Sequence, residues 1–354
     1  MPDHAGKRRH AGRAELLPVL AIVLAGVLIV GIAMYWRHGP PEASIDQVSD
    51  RAVDRTTQTR TGAELSDPDR ARKDHKDAVV NRGVVKPLRD AAQLREDARA
   101  AEAEVTNVNQ KSVTFKMASF NVLASQHTEP GGQHAGWPGA GVRSGQTVGL
   151  IKAHHADVVG LQEVKSSQLS AITGGTGFRA WPGGGDPDNS VIYNPSKFEY
   201  VSGTTFSVWF MSRNRPQTVL RLRHKQSRRE FYVINMHPSA GHGGRYASSR
   251  NAAFDTVVSY INKLKSERVP IFLTGDMNDR GNFYCRVVSR TGLVAAQGGG
   301  GTCGSAPRMR PVDWVTAWGN VSFSGYVDDF SSENRRISDH PFVSATATMR
   351  GAQG

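Results

Sequence analysis

VPIFLTGDMND, residues 269–279, is the stretch that decides the fold class of this chain. Its first part is a short apolar run, as in a strand that is buried on both faces of an α/β protein. Its second part places Asp276 and Asn278 directly after that strand. Strand ends are where an α/β scaffold gathers side chains into one crevice. The stretch therefore predicts an α/β domain with its site at the strand ends.

The same arrangement of an apolar strand followed by polar residues recurs on both sides of this stretch. The further residues are Asn121 after TFKMASF, Glu163 after VVGLQ, Asn235 and His237 after FYVI, and Asp339 and His340 after the strand near 321–327. Helical stretches lie between the strands, around 145–155 and 247–265, and two runs at 218–223 and 230–236 predict a hairpin. One mixed α/β domain over residues 112–350 is expected.

These residue types fit the hydrolysis of a phosphate ester. Hard cations such as Mg²⁺ take oxygen ligands, which Glu163, Asp339 and Asn121 can supply. His237 and His340 can supply protons or positive charge near neutral pH. Each cluster taken alone is weak evidence, since a lone Asp-His or Gly-Asp-x-Asn is usually explained by turn or surface chemistry. Their joint order along one domain is what predicts a metal-dependent site.

The ordered set of motifs resembles the endonuclease/exonuclease/phosphatase superfamily. The matching motifs are SFNV at 119–122, LQEV at 161–164, NMH at 235–237, GDMND at 275–279, VDWV at 312–315 and SDHPFV at 338–343. The resemblance covers about residues 112–348. It implies a four-layered α/β sandwich, in which two mixed β-sheets are flanked by helices.

The resemblance also implies a metal site. Glu163 would be the principal ligand, and Asn121 and Asp339 would complete or support the site. Mg²⁺ is the expected ion, with Mn²⁺ and Ca²⁺ as alternatives.

The remaining roles concern the phosphate and the attacking water. Asp276 would orient or deprotonate the water, and Asn278 would hold the scissile phosphate. His237 and His340 would bind the phosphate and transfer protons. Asp313 would accept a hydrogen bond from His340, which fixes its tautomer and favours its charged form.

Four residues are candidates for substrate binding. Asn235 belongs to the matching motif, and Asn189 is preferred to Asp188 because it immediately precedes the strand SVIYN. Arg221 and Arg223 share one face of a strand in the most basic hairpin of the chain. That hairpin either grips a polyanion or is an ordinary solvated hairpin.

The charge distribution bears on the substrate. Residues 111–354 hold 27 Lys and Arg against 16 Asp and Glu, a net charge of +11. Such a surface draws polyanions, or it serves only solubility. A nuclease is the first hypothesis, and a sphingomyelinase-like or other lipid or small-molecule phosphoesterase is the second. No aromatic hairpin that clearly inserts into a bilayer is evident from the sequence. A non-catalytic binding protein would lack a main catalytic position, and none is missing.

The N-terminal third predicts a membrane tether. Residues 16–36 are 21 residues without a charge, long enough to cross a bilayer as a helix. The basic tail 1–15 predicts a cytoplasmic N-terminus and an extracytoplasmic remainder. A cleaved signal peptide is the alternative, although MYW is a poor cleavage site. Residues 37–111 read as a polar spacer with a helix-prone part from 87 to 105.

The chain has two cysteines, Cys285 and Cys303, and no metal-binding CxxC pair. In an external domain they are expected to form a disulfide, with two unlinked thiols as the alternative. The catalytic domain is expected to be monomeric.

Overall fold

The computed structural model describes residues 91, 93–100, 102–103, 111–185 and 187–351. The chain divides into two units, Met1–Ala103 and Glu104–Gly354. In the first unit, residues 93–100 are helical and exposed, as the helix-prone composition predicts.

The predicted membrane span and most of its flanking segments lie outside the described residues. These are the tail 1–15, the span 16–36 and the spacer up to residue 90. Within the part of the chain that is described, no helix has the length and hydropathy needed to cross a membrane. The tether therefore stays a prediction.

Twelve strands in the described part of the second unit form two sheets. They are β1 (Val113–Asn121), β2 (Val158–Val164), β3 (Arg179–Trp181), β4 (Asp188–Tyr193), β5 (Phe198–Phe210), β6 (Arg213–His224), β7 (Glu230–Met236), β8 (Ile271–Asp276), β9 (Val294–Ala295), β10 (Asp313–Trp318), β11 (Val321–Asp329) and β12 (Phe342–Met349). The first sheet has the order β11-β12-β1-β2-β4-β3 and the second β5-β6-β7-β8-β10-β9. Pairs β1–β2 and β7–β8 are parallel, and the other pairs are antiparallel, so both sheets are mixed.

Helices cover the outer face of each sheet. They are α1 (Ala140–Ala153), α2 (Ser166–Thr176), α3 (Gly244–Leu264), α4 (Gly281–Phe283), a π-helix (Tyr284–Val288), α5 (Ser289–Thr291) and α6 (Ser331–Asn334). Helices α1 and α2 pack on the first sheet through Ile151 and Leu169. Helix α3 packs on the second sheet through Phe254 and Val257. The four-layered sandwich is confirmed.

The central core between the two sheets is aromatic. The ring of Phe115 on β1 lies 5.0 Å from that of Phe231 and 5.5 Å from that of Phe272. Burial of one such side chain stabilises the fold by about 2 kcal/mol. Met117 also faces this core, whereas Phe120 faces α1 and α2. Side chains of β1 therefore pack into two different cores, one on each face of the first sheet.

The two parallel strand pairs position the functional residues. The carboxyl ends of β1 and β2 carry Asn121 and Glu163, and those of β7 and β8 lead to His237 and Asp276. The Asn121 amide Nδ2 donates to the Asp276 carboxylate across 3.1 Å, which joins the two sheets at this edge. The crevice predicted at the strand ends is therefore formed between the sheets.

Close contact beneath the crevice depends on Gly160 of β2. A Cβ at that position would lie 2.2 Å from Thr274 Oγ1 and 2.5 Å from Asn235 Oδ1. The neighbouring Gln162 Nε2 donates to Asn235 Oδ1 at 2.6 Å. A buried polar link and a missing side chain thus fix the spacing of the sheets.

Gly275 of the GDMND motif has a comparable steric role at the end of β8. A Cβ there would lie 2.1 Å from the carbonyl oxygen of Met236. The contact explains why glycine precedes Asp276 in this stretch.

Two sequence predictions concern covalent and local structure. The hairpin of β6 and β7 is confirmed, although the long strand β5 before it was not predicted. Cys285 and Cys303 are bonded, with their Cα atoms 4.4 Å apart. The disulfide closes the glycine-rich segment between them.

Candidate active site

Asp276 lies at the centre of the site. Its Oδ2 is 3.1 Å from Asn121 Nδ2, 3.3 Å from His237 Nε2 and 3.5 Å from His340 Nε2. Its Oδ1 accepts the backbone N–H of Asn278 at 2.9 Å. Side chains from both sheets and from the last loop therefore converge on one buried carboxylate.

Glu163 is turned into the crevice by a bulge in β2. The register of β2 against β4 shifts between Gln162 and Val164, and Glu163 has a φ of +57°. Such bulges re-aim a side chain at the cost of local pairing. The carboxylate accepts from Asn121 Nδ2 at 3.3 Å and from the Ala124 N–H at 3.2 Å.

The charge state of Glu163 suits a cation ligand. Burial alone would raise its pKa, but the hydrogen bond from His127, whose Nε2 is 3.4 Å away, and the hydrogen bond from the Ala124 N–H outweigh burial. The pKa of Glu163 is therefore held well below its usual range. The carboxylate is therefore ionised at neutral pH.

His340 and Asp313 form a pair beside Asp276. The His340 Nδ1 lies 3.1 Å and 3.0 Å from the two carboxylate oxygens of Asp313. Burial would lower the pKa of His340, but the charges of Asp313 and Asp276 outweigh burial and raise that pKa well above its usual value. Burial raises the pKa of Asp313 to about 6. At neutral pH the pair is an imidazolium held by a carboxylate.

His237 is in the opposite state. Its Nδ1 lies 3.1 Å from Nη1 of Arg215, and a guanidinium can only donate. Nδ1 must therefore be an acceptor, which leaves the proton on Nε2, facing Asp276. Burial lowers the pKa of His237, in agreement with a neutral ring. Two histidines thus flank Asp276, one neutral and one charged.

Arg215 was not predicted as a site residue. Its guanidinium lies 3.4 Å above the Phe210 ring, and its Nε is 3.4 Å from Asp188. Asp188 also binds Lys165 at 3.1 Å and Arg213 at 2.9 Å. Asp188 therefore reaches His237 only through Arg215. Nothing in the NRPQ sequence around Arg215 signals this role, because it depends on a neighbouring strand.

Asn189 and Asn235 are both fully buried. Asn189 Nδ2 donates to the Pro216 carbonyl at 3.0 Å, and among the described residues its Oδ1 has no hydrogen-bond partner. Asn235 donates to the carbonyl oxygens of Leu161 and Ser190. Asn235 joins the two sheets, so the structure does not bring it into the crevice.

Arg221 and Arg223 are not part of the crevice either. Arg221 pairs with Tyr232, which precedes His237 by five residues, or about 16 Å of strand. Both guanidinium groups bind Glu230, at 2.6 Å and 2.7 Å between Nε and carboxylate oxygen. The structure thus does not bring the two predicted substrate ligands to the crevice, and glutamates compensate their charges at the far end of the sheet.

The loop after α6 brings Asp339 to the other side of the site. Ser338 Oγ donates to the Asn121 carbonyl at 2.6 Å, which anchors the loop to β1. Asp339 Oδ2 lies 3.4 Å from His134 Nε2. His127 and His134 both come from the segment after β1 and were not predicted.

Two places in the crevice could hold a divalent cation. Among the described residues, Asp276, Asp313 and His340 form the group whose ligand atoms lie within 4.8 Å of one another. The second place is Glu163, and nitrogen donors contact the carboxylates at both places. The Glu163 side chain is partly exposed, and that of Asp339 is more exposed. Asn121 Oδ1 accepts the Leu123 N–H at 3.0 Å, so Asn121 supports the carboxylates rather than offering its oxygen.

Two features border the crevice. A cavity of about 250 Å³ lies beside His340 and Asp339 and is also lined by Arg280, Arg310 and Phe330. On the side of His237 is the tip of the β5–β6 hairpin, residues 209–211. Trp209 and Met211 are about half exposed there, and Phe210 meets the His237 ring edge-on.

The chain is similar to known proteins in sequence motif and in fold. The model of the endonuclease/exonuclease/phosphatase family matches residues 118–340. No curated protein matches the chain by sequence.

Three solved structures illustrate the similarity in fold. A family protein from Bacteroides thetaiotaomicron is 17% identical, with a TM-score of 0.53 over 68% of this chain and 99% of that one. The human nocturnin catalytic domain with bound sulfate is 16% identical, with a TM-score of 0.52 over 68% and 98%. A mannosyl-6-phosphatase from B. thetaiotaomicron is 17% identical, with a TM-score of 0.50 over 66% and 99%.

Proposed function

This chain belongs to the endonuclease/exonuclease/phosphatase family, and we propose that it hydrolyses phosphodiester bonds in nucleic acid with the help of a bound Mg²⁺ or similar divalent cation. Family membership makes it a hydrolase of the phosphoesterase type. The observation that carries the proposal is the convergence of a neutral His237 and a charged His340 on Asp276.

Asp276 would orient the attacking water. Its Oδ1 is fixed by the Asn278 N–H, and its Oδ2 is held by donors from both sheets. A carboxylate held on both oxygens cannot rotate away, so a water bound to it has a defined direction toward phosphorus.

The two histidines would stabilise the phosphate as charge develops. His340 Nε2 is 3.5 Å from Asp276, a long contact that leaves this N–H available to a phosphate oxygen. Its positive charge, maintained by Asp313, opposes the charge on the equatorial oxygens. His237 would donate its Nε2 proton in a hydrogen bond without carrying charge.

Glu163, supported by Asp339, would hold the divalent cation next to these groups. A bound cation polarises a phosphoryl oxygen and neutralises its charge. Asn121 would keep Glu163 and Asp276 apart and oriented, because its amide donates to both.

Nucleic acid is favoured by the surroundings of His340. Arg280 and Arg310 line the adjacent cavity and offer guanidinium groups to a phosphate backbone. The Arg310 guanidinium lies 4.1 Å above the Phe330 ring and also pairs with Glu333. The net charge of +11 over residues 111–354 adds a long-range attraction for a polyanion.

A substrate panel tests the proposal. The full chain with Mg²⁺ would be offered single-stranded DNA, RNA, duplex DNA, sphingomyelin vesicles and p-nitrophenyl phosphate. We expect cleavage of DNA or RNA, loss of that cleavage in His340→Ala, and retention in His155→Ala, an exposed histidine outside the site. Inertness toward both nucleic acids, with a lipid substrate cleaved, would contradict the nuclease proposal.

A lipid phosphodiester is the second candidate, and the exposed hairpin tip at 209–211 favours it. Trp209 and Met211 project next to His237, and an indole prefers the membrane interface. Trp209→Ala with Met211→Ala would lower vesicle binding and lipid hydrolysis while leaving a soluble diester unaffected. An equal loss on soluble and vesicle substrates would point to a role in the site itself.

Tethering is part of the proposal. A helix at residues 16–36, with the basic tail inside, would place the catalytic unit outside the cytoplasm. Protease added to intact spheroplasts should then remove the catalytic unit and leave a membrane-embedded stub. Full protection of that unit without lysis is the opposite outcome.

A further inference from the structure

Arg215 of β6 contacts the ring of His237, although it lies outside every motif that the sequence singles out. The arginine is 8% exposed, and its Nη1 lies 3.1 Å from Nδ1 of His237. A guanidinium group has only donors, so Arg215 donates and Nδ1 accepts. The proton of the His237 ring is thus on Nε2, which lies 3.3 Å from Asp276.

Two neighbours hold the guanidinium group at this nitrogen. It lies 3.4 Å above the ring of Phe210, and that ring also packs on His237, with centroids 5.0 Å apart. The carbonyl oxygen of Arg215 accepts from Gln217 Nε2 at 3.0 Å, and Gln217 Oε1 accepts the His237 backbone N–H at 2.6 Å. Phe210 and Gln217 therefore fix the position of Arg215 relative to His237.

The ion pair with Asp188 does not account for this placement. Asp188 is bound by Lys165 at 3.1 Å and by Arg213 at 2.9 Å, and both contacts are shorter than the 3.4 Å to Arg215 Nε. Within the described part of the chain, that Nε has no hydrogen-bond partner. Of these two contacts of the Arg215 side chain, the shorter one is to His237.

The surroundings of Nδ1 are the reverse of those at His340. There Nδ1 lies 3.0 Å from the carboxylate of Asp313, which accepts a hydrogen bond from it. An anion beside Nδ1 allows a ring to hold two protons, whereas a cation beside Nδ1 restricts it to one. His237 is therefore limited to donating one hydrogen bond, from Nε2.

We propose that Arg215 is a positioning residue for the hydrolysis, which holds His237 by Nδ1 and keeps its single proton on Nε2. The inference rests on the proposed function and names the residue that prepares His237 for it. The competing explanation is that Arg215 only neutralises Asp188 and stabilises the hairpin of β5 and β6.

Methionine at position 215 separates the two explanations, because it keeps an unbranched side chain against Phe210 but has no donor. Asp188 keeps its two other cations in Arg215→Met, so the fold should be retained. Arg213→Met is the matched control, since it removes an arginine from the same strand and the same carboxylate at an exposed position. Arg215→Lys restores a donor.

Nuclear magnetic resonance reads the state of the His237 ring without any need for activity. The full chain, in detergent and labelled with ¹⁵N only in its 12 histidines, gives ring-nitrogen signals whose positions show which nitrogen carries a proton. The signals that disappear in His237→Gln belong to this residue. Steady-state kinetics with Mg²⁺ on the cleaved nucleic acid gives kcat and KM separately.

We expect an unprotonated Nδ1 on His237 in the wild type and in Arg213→Met. In Arg215→Met the Nδ1 signal should move, because that nitrogen loses its donor and is free to carry the proton. The kcat of this variant should fall about 10- to 100-fold, with a smaller change in KM. Arg215→Lys should return the signal toward its wild-type position and recover part of kcat.

An Nδ1 signal that stays in place in Arg215→Met would overturn the inference whether or not kcat falls, and it would leave the proposed function intact. A protonated Nδ1 in the wild type would overturn the inference in the same way. A wild type that cleaves no phosphodiester would overturn both the inference and the proposed function. A circular-dichroism melting curve establishes that each variant is folded.

Discussion

Two histidines of the same chemical type have different charge because of their partners. His237 faces a guanidinium, which forces its Nδ1 to accept, whereas His340 faces the buried carboxylate of Asp313. Both point Nε2 at Asp276. One ring can therefore bind phosphate as a neutral donor while the other supplies positive charge.

The first residue-scale prediction concerns Glu163→Gln. This substitution keeps the shape but removes the anion, so we expect at least about 100-fold lower activity and weaker cation binding. The fold should be retained with a modestly lower thermal midpoint, because the hydrogen bonds that lower the Glu163 pKa stabilise the folded state with the ionised carboxylate. Glu199→Gln, which removes a partly exposed carboxylate outside the crevice that is paired with Arg223 and Arg228, is the control. Unchanged turnover in Glu163→Gln would remove this residue from the site.

The second residue-scale prediction concerns pH. If the imidazolium of His340 is the active form, as proposed, we expect activity to be present below its raised pKa and to be lost as pH rises through it. Activity also declines as pH falls below about 6, where Asp313 takes up a proton.

Asp313→Asn removes the anion that raises the His340 pKa. The alkaline limb of the rate profile should therefore move to lower pH, with about 10-fold or more lost near pH 7. Asp255→Asn, an exposed carboxylate on α3, should leave the profile in place. An alkaline limb that does not move in Asp313→Asn would show that His340 does not set it.

Elements rather than single residues place the site groups. The bulge in β2 directs Glu163 into the crevice, while Gln162, one residue before it, binds Asn235 of the other sheet. The hairpin of β5 and β6 carries Arg215 to His237 and exposes Trp209 at its tip. Each group reaches the site through the strand that carries it.

The element-scale prediction concerns the contact between β2 and the second sheet. Gly160→Ala would place a methyl group against Thr274 and Asn235, so we expect about 1–3 kcal/mol lower free energy of unfolding. Gly149→Ala lies in the exposed part of α1 with open space around it, and it should be neutral or stabilising. Chemical denaturation measures both. Equal stability of the two variants would show that the sheets can move apart to accommodate the methyl group without lowering the free energy of unfolding.

At the scale of the whole molecule, Arg229 connects the two sheets through hydrogen bonds to the backbone. This buried residue of the basic hairpin donates from Nη1 to the carbonyl oxygens of Lys111, Met349 and Arg350, at 2.8, 3.0 and 2.8 Å. It thereby joins the second sheet to the start of β1 and the end of β12, which lie side by side in the first sheet. One member of the basic hairpin thus has a structural role that its composition does not reveal.

The whole-molecule prediction follows from these hydrogen bonds. Arg229→Ala leaves three carbonyl groups without their donor, and we expect a loss of about 2–4 kcal/mol in unfolding free energy. Arg228→Ala, an adjacent half-exposed arginine, should cost about 1 kcal/mol or less. Both variants should keep the same cleavage activity below the melting transition. If Arg229→Ala were as stable as Arg228→Ala, the three hydrogen bonds of Arg229 would not stabilise the domain.

The sequence by itself determined the layered α/β fold and the central residues Glu163, Asp276 and His340. Period-two patterns locate strands, and the polar residues after them are local signals that need no partner to be recognised. The tertiary structure alone decided the rest. Arg215 and His127 act across strands and loops that are distant in sequence, and no local pattern encodes such contacts. For the same reason the sequence predicted Arg221 and Arg223 as substrate ligands. The fold places both of them beside glutamates at the far end of the sheet.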